Sequence, residues 1–203
     1  MDASTRLNNT GAWPVWTLLF CSAAVAVFFA PELQRVLIYD RVAITSGEWW
    51  RLLTGNLIHH STTQLIFDVV AFSVAGTLIE VRRHAHFTIL CMVAGACVGI
   101  VLYLAEPEML YYAGLSGVVT ALVVYLCLNG LSDTTWWRWL CASALTLVAV
   151  KIGVELVFEN TIVGLAEPQL FVSMPLSHVT GAITALIFFL LTRSPLRVLT
   201  APE

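Results

Sequence analysis

Charge is scarce in this chain: Asp, Glu, Lys and Arg make up 11% of its 203 residues, while 59% are hydrophobic. Mean hydropathy is +0.85, outside the balance of a soluble globular domain. A basic excess is lacking as well. With a net charge of −3 and a pI near 5.9, the chain does not have the Lys and Arg clusters that hold nucleic-acid phosphates, so nucleic acid is excluded as a partner. Paired CxxC spacing is missing too: Cys21, Cys91, Cys97, Cys127 and Cys141 all fall in apolar runs without a nearby His or Asp set. That argues against a disulfide scaffold or a metal site and leaves five small core residues, with no metal or organic cofactor expected. Polar sequence long enough for a separate soluble domain is also absent.

What the chain does have is apolar runs. A hydrocarbon core of ~30 Å takes about 20 mostly apolar residues per helix. The sequence divides into six such runs, Trp13 to Ala30, Ser61 to Ile79, Phe87 to Ala105, Leu115 to Leu128, Trp137 to Phe158 and Met174 to Leu191. The expectation is a single all-α membrane domain over residues 1–203, a bundle of six transmembrane helices. Polar Met1 to Gly11 followed by an apolar run resembles a secretory signal. However, bulky charged sequence follows that run instead of a small-residue cleavage site, so it reads as a retained first helix.

An even number of spans puts both termini on one side. Arg6, Arg82, Arg83, Arg138, Arg193 and Arg197 lie on that side, whereas the connections after the third and fifth spans carry Glu106, Glu108, Glu159 and Glu167 and no Lys or Arg. By the positive-inside rule the termini are cytoplasmic. The first connection runs against this, with Arg35, Arg41 and Arg51 outside; it is long, contains Trp49 and Trp50, and reads as folding into the interface.

The fourth run is too short to cross ~30 Å at ~1.5 Å per residue. Its outer end must start below the membrane surface, reached by a dipping loop, Glu106 to Gly114. Irregular backbone at that depth is tolerated beside protein or water, which predicts a cavity open to the outside.

Polar side chains inside spans are costly and mark function or pairing. Here they are Asp68, Ser116, Lys151, Glu155 and His178. Ser116 opens the short fourth run within Gly114-Leu-Ser-Gly117, where the two glycines let a substrate backbone approach the hydroxyl. Alone, such a string is also an ordinary helix-packing pattern. His178 opens the sixth run, which by the same topology starts at a similar depth. Gly181 and Ala185 follow at i+3 and i+7, and Gly117, Thr120 and Ala121 form a small-residue stripe beside Ser116. Two such stripes permit close helix approach and a hydroxyl–imidazole contact, as an activated serine requires. Lys151 and Glu155, four apart, leave two readings: Lys151 neutralises Glu155 or Asp68, or it serves Ser116 as the base of a Ser-Lys dyad.

As a set, Gly47-Glu-Trp-Trp-Arg-Leu-Leu-Thr54, His59 at the entry to the second helix, Gly114-Leu-Ser-Gly117 and His178-x-x-Gly181 resemble the rhomboid family of intramembrane serine proteases. The resemblance covers nearly the whole six-helix core. It implies that Ser116 attacks the scissile carbonyl and His178 takes its proton, as a dyad without a third acid. Trp50 and Arg51 match a loop motif that supports the structure beside the site, with His59, Gly181 and Ala185 in similar supporting roles. Asp40-Arg41 with Gly-Glu-Trp-Trp-Arg and Gly-Leu-Ser-Gly-Val look most like the rhombosortase branch. This implies a bacterial inner-membrane enzyme that clips Gly-Gly-containing C-terminal helical tails from exported proteins within the bilayer.

One departure from the family pattern concerns the oxyanion. Where rhomboids place a second histidine and an asparagine in helix two, this chain has Gln64 and Asp68. Gln64 can donate an N–H to an oxyanion, as can the Ser116 amide. An ionised Asp68 cannot; it would have to be protonated or turned toward a cation such as Lys151. The departure motivates a first alternative, an inactive relative that binds transmembrane helices. A second is a small transporter lined by Asp68, Lys151 and Glu155, although an internal repeat of broken helices is not evident.

Overall fold

Backbone groups that face lipid must find hydrogen-bond partners within their own segment, so apolar runs of this kind fold as helices. The computed structural model describes residues 13–82, 86–158 and 174–192. Arg6, Arg83, Arg193, Arg197, Glu159 and Glu167, used above for orientation, lie outside the described residues.

Helix α1 (Val15–Phe28) falls on the first run. Three short helices follow, α2 (Pro31–Leu37), α3 (Arg41–Thr45) and α4 (Arg51–Thr54), with strand β1 (Tyr39–Asp40) between α2 and α3. Then come α5 (Thr62–Val81), α6 (Phe87–Ala105), strand β2 (Tyr111–Tyr112), α7 (Ser116–Gly130), α8 (Trp136–Phe158) and α9 (Pro175–Thr192). A helix thus occupies each predicted run, and α6 has the predicted ends. Helices α5, α6, α8 and α9 are each long and apolar enough to cross a membrane. Helix α1 reaches that length only together with α2, from which it is bent by 108°. Pro31 accounts for the break: it has no N–H to continue the ladder, and it disfavours helical backbone at Ala30. Helix α7, at 15 residues, is short, as the sequence predicts.

The first connection is more ordered than a loop. The Asp40 carboxylate caps α3 by accepting from the Val42 and Ala43 amides at 3.0 and 3.1 Å. Strand β1 pairs antiparallel with β2, Tyr39 opposite Tyr112 and Asp40 opposite Tyr111, which fastens this connection to the loop leading into α7. Two of its three arginines are taken up structurally. Buried Arg51 donates to Glu48 at 2.6 Å and to the carbonyls of Arg35 and Ile38 at 2.9 and 2.8 Å. Arg41 donates to the carbonyls of Tyr103 and Glu106 at the end of α6, at 2.8 and 3.1 Å, and lies over the Tyr103 ring. Trp50 donates to the Val36 carbonyl at 3.2 Å. Guanidinium groups so engaged cannot report sidedness as freely solvated charges do.

Helix α7 is the hub, touching α5, α6, α8 and α9. Its Val118, Ala121, Leu122 and Tyr125 enter a core with Phe72, Ile79, Leu90, Ala94 and Ala185; Cys21, Cys91, Cys127 and Cys141 are buried there as small apolar fillers. At the opposite end of α5, Glu80 accepts from the Thr17 amide and hydroxyl at 2.7 and 2.6 Å and from the Trp16 amide at 3.2 Å. One carboxylate thereby satisfies N–H groups that the start of α1 leaves without intrahelical partners.

Candidate functional site

The segment before α7 is fixed by two hydrogen bonds from different elements. The buried Tyr112 hydroxyl donates to the Gly114 carbonyl at 2.9 Å, and the Leu115 amide donates to Asp68 Oδ2 at 3.1 Å. Gly114 itself has φ +150°, a conformation other residues rarely adopt, and a Cβ there would lie 2.9 Å from Gln64 Nε2. The helix then begins at Ser116, which is half-buried and therefore reachable.

Small residues bring α9 against α7 as the two stripes predict. A Cβ on Gly181 would collide with the Gly117 carbonyl, and one on Gly117 would lie 3.0 Å from the Ser177 carbonyl and 2.9 Å from Val98 Cγ2. Ala185 is fully buried one turn beyond Gly181. At that approach His178 Nε2 stands 3.0 Å from Ser116 Oγ, within hydrogen-bond reach of a nucleophile–base pair. The imidazole is buried.

The other edge of the ring faces α8. His178 Nδ1 lies 2.7 Å from Glu155 Oε2, and Glu155 Oε1 accepts from Lys151 Nζ at 2.7 Å. Lys151 Nζ also comes within 3.0 Å of Nδ1. Glu155 is 0% exposed, whereas the Lys151 side chain is 33% exposed, so the cation reaches the medium and the carboxylate does not. Of the two partners open to Lys151 in the sequence, Glu155 is the one it meets. No hydrogen bond joins it to Ser116 among the described residues.

Gln64 lies against the loop that leads to the serine. Ser61 caps α5 by accepting from the Gln64 amide at 3.2 Å, and Gln64 Oε1 accepts from the His60 amide at 3.0 Å. With its carbonyl oxygen engaged there, the side chain turns its N–H₂ toward the serine loop, donating to the Ala113 carbonyl at 3.2 Å. Asp68 is turned toward the same loop from below. Besides the Leu115 amide it approaches His59 Nε2 at 3.3 Å, at an angle that does not complete a hydrogen bond. His59 Nδ1 meets the Leu57 carbonyl at 3.2 Å. Asp68 therefore meets His59 and a backbone amide, not Lys151.

The structure thus brings together Ser116, His178, Gln64, Gly114, Gly117 and Gly181, with Asp68 and His59 behind the serine loop. Trp50 and Arg51 sit apart, in the first connection that β1 and β2 tie to that loop. Sequence reasoning missed the contact between Glu155 and the imidazole. The i, i+4 spacing gave Lys151 a partner, but nothing in the sequence signals the direction of the second carboxylate oxygen. Chemically, the arrangement offers a hydroxyl in contact with a base, and amide donors beside it from Gln64 and the first turn of α7.

Residues 46–195 match the Rhomboid domain. The chain is 30% identical over 123 residues to YdcA of Bacillus subtilis (strain 168), whose name assigns it provisionally to the rhomboid proteases; the match covers 56% of this chain and 62% of YdcA. It is 24% identical over 159 residues to the rhomboid protease GluP of the same organism, covering 72% of this chain and 31% of GluP. The match therefore spans under two thirds of either relative's length. A Rhomboid domain over most of the sequence, on a bundle of apolar helices embedded in the membrane, makes this chain a member of the rhomboid family.

Proposed function

We propose that this protein is an intramembrane serine endopeptidase in which Ser116 is the nucleophile and His178 the general base. The observation that carries this is the 3.0 Å contact between Ser116 Oγ and His178 Nε2 on a helix pair held together by Gly117 and Gly181. A binding module has no need for an aligned hydroxyl and imidazole, and this weighs against an inactive helix-binding relative. The engagement of Lys151 and Glu155 with each other and with His178 weighs against a transport path. The relatives are named as proteases, which supports the same reading.

In this reading Gln64 and the Ser116 amide receive the oxyanion, Gly114 and Gly117 leave room for the substrate backbone, and Asp68 holds the serine loop through Leu115. Trp50, Arg51 and His59, with Gly181 and Ala185, keep the surrounding scaffold in place. All 203 residues form one domain of six spans, α1 and the short α7 completing the four longer ones, in a bacterial inner membrane with cytoplasmic termini. Substrates are single-span proteins cut near the outer face, where small residues let their helices unwind. The Asp40-Arg41 and Gly-Glu-Trp-Trp-Arg segments favour C-terminal Gly-Gly-type sorting tails of exported proteins.

The test is in-cell cleavage of a reporter carrying a Gly-Gly tail, a transmembrane helix and a basic end, comparing wild type with Ser116→Ala and His178→Ala. Cleavage by wild type alone, with both variants folded, is the expected result. Cleavage only of a single-span substrate lacking the tail would remove the sorting-tail specificity and keep the protease. Cleavage of neither would leave the helix-binding reading in its place.

A further inference from the structure

One edge of the His178 ring meets Ser116, and the other meets Glu155. A neutralising role for Lys151 accounts for Glu155 Oε1, to which it donates at 2.7 Å, but not for Oε2, which points at the imidazole at the same distance. We propose that Glu155 is the positioning residue of a Ser116–His178–Glu155 triad, with Lys151 as the cation that pairs with its carboxylate and fixes it. The inference rests on the protease reading and deepens it.

The geometry decides the tautomer. A carboxylate oxygen and a ring nitrogen 2.7 Å apart need a proton between them, so Nδ1 carries the hydrogen and donates to Oε2. Nε2 then presents its lone pair to Ser116 Oγ at 3.0 Å, and the hydroxyl donates to it. The reverse tautomer would set an Nδ1 lone pair against the carboxylate oxygen at 2.7 Å, with Lys151 the donor to it, and would turn an N–H instead of a lone pair toward the Ser116 hydroxyl. With Nδ1–H aimed at Glu155, Lys151 at 3.0 Å makes no hydrogen bond to that nitrogen; it lies 3.4 Å from Nε2, farther than Ser116 Oγ at 3.0 Å, and acts on the ring chiefly as a nearby positive charge.

The steps balance without a further reactant. As Oγ bonds to the scissile carbonyl carbon, its proton passes to Nε2 and the carbonyl electron pair moves onto oxygen. Nδ1 keeps its own proton, and the imidazolium lies against Glu155. When the C–N bond breaks, the amine nitrogen leaves with the bonding pair and takes the proton from Nε2. Water then attacks the acyl carbon, giving its proton to Nε2, which returns it to Oγ as the ester bond breaks. Glu155 is never protonated. It holds the ring in one tautomer and stabilises each imidazolium.

Glu155 and Lys151 act on the imidazolium with opposite sign. From the other elements packed on α9, α7 presents Ser116, and α6 contains no Asp, Glu, Lys, Arg or His. Asp68 on α5 is engaged with the Leu115 amide and His59. Loss of the Glu155 charge should therefore move the acid limb of the pH–activity profile to lower pH, and loss of the Lys151 charge should move it to higher pH.

The experiment measures the labelling rate of Ser116 by a fluorophosphonate probe against pH, with the full chain in proteoliposomes. Wild type is compared with Glu155→Gln, Glu155→Asp, Lys151→Gln and Ser116→Ala, and fold is checked by helical circular dichroism. The expected result is a loss on the order of 10²- to 10⁴-fold in Glu155→Gln, as follows when a triad's imidazole is freed to take the wrong tautomer. Partial recovery in Glu155→Asp and acid limbs displaced in opposite directions for Glu155→Gln and Lys151→Gln complete the expectation. Labelling of Glu155→Gln within about threefold of wild type, with an unmoved profile, would overturn the proposal. If Glu155→Gln does not fold, Lys151→Gln decides: an unmoved or downward-shifted limb overturns it. Normal labelling without cleavage of any reporter would sink the substrate assignment and leave the triad standing, whereas a wild-type serine that never labels sinks both.

Discussion

Gly181 on α9 rests against the main-chain carbonyl of Gly117 on α7, with no room for a methyl group between them. Ser116 and His178 are the residues one before and three before these glycines, so the separation of hydroxyl and imidazole is set by this contact. Gly181→Ala should force the helices apart, costing about 1–3 kcal/mol of stability, as overpacking does. Cleavage should fall about 10²-fold, because a displacement of about 1 Å between reacting groups is enough for that. Thermal unfolding in detergent and reporter cleavage measured on the same preparation check both.

Gln64 turns its N–H₂ toward the serine loop because the His60 amide occupies its carbonyl oxygen, which is the orientation the proposed oxyanion role needs. Gln64→Ala should reduce kcat on the order of 10²- to 10³-fold with KM little changed, the usual result of removing one oxyanion donor. Gln64→Glu, which keeps the size but loses the donor when ionised, should be no better. Recovery of activity in the Glu variant would show that shape matters here and hydrogen bonding does not.

Asp68 accepts from the Leu115 amide, and an asparagine can still do so. Asp68→Asn should therefore fold and cut within about threefold of wild type. Asp68→Ala leaves the Leu115 N–H without its acceptor and His59 Nε2 without its neighbour, which should cost about 1–3 kcal/mol. Comparing the two unfolding temperatures with their cleavage rates separates the hydrogen bond from the charge.

Arg51→Lys should be damaging despite conserving charge. A single ammonium cannot span Glu48 and the carbonyls of Arg35 and Ile38, so about 1–3 kcal/mol of stability should be lost. The unfolding temperature should drop while the cleavage rate per folded molecule stays near wild type.

Glu80→Ala offers the complementary case, far from the serine. Removing the carboxylate that caps α1 through Thr17 and Trp16 should destabilise the fold by about 1–2 kcal/mol and leave kcat within about twofold. A large fall in kcat would mean that the position of α1 matters to the chemistry.

Much of this architecture was legible because a bilayer imposes simple rules on composition. Helix α6 runs from Phe87 to Ala105 as read, since an uninterrupted apolar run leaves the backbone no alternative, and the short α7 followed from counting residues against hydrocarbon thickness. The pairing of Ser116 with His178 came from depth and from small-residue faces. The first connection is less legible. Its short helices and the β1–β2 pairing depend on partners distant in sequence, Arg41 on α6 and Tyr39 opposite Tyr112, which no local pattern announces. The meeting of Glu155 with His178 was invisible for a related reason. Spacing gives the face of one helix, but the rotation of α8 relative to α9 is set by packing on α7, and only that rotation aims Oε2 at the ring.

Lys151 and Glu155 ride on the same helix, one turn apart, and α8 is the least enclosed of the four long helices, with 11% of its apolar stretch buried. Their mutual bond is internal to α8 and survives any tilt of that helix as a rigid rod. The contact to His178, by contrast, runs between helices and depends on the packing of α8 against α7 and α9, while the carboxylate is neutralised by its own lysine wherever α8 lies. The electrostatic penalty that normally locks a buried carboxylate to its partner is thus largely removed in advance. The carboxylate therefore meets His178 with its charge already paired on its own helix, and its aim at the ring depends on how α8 seats on α7 and α9.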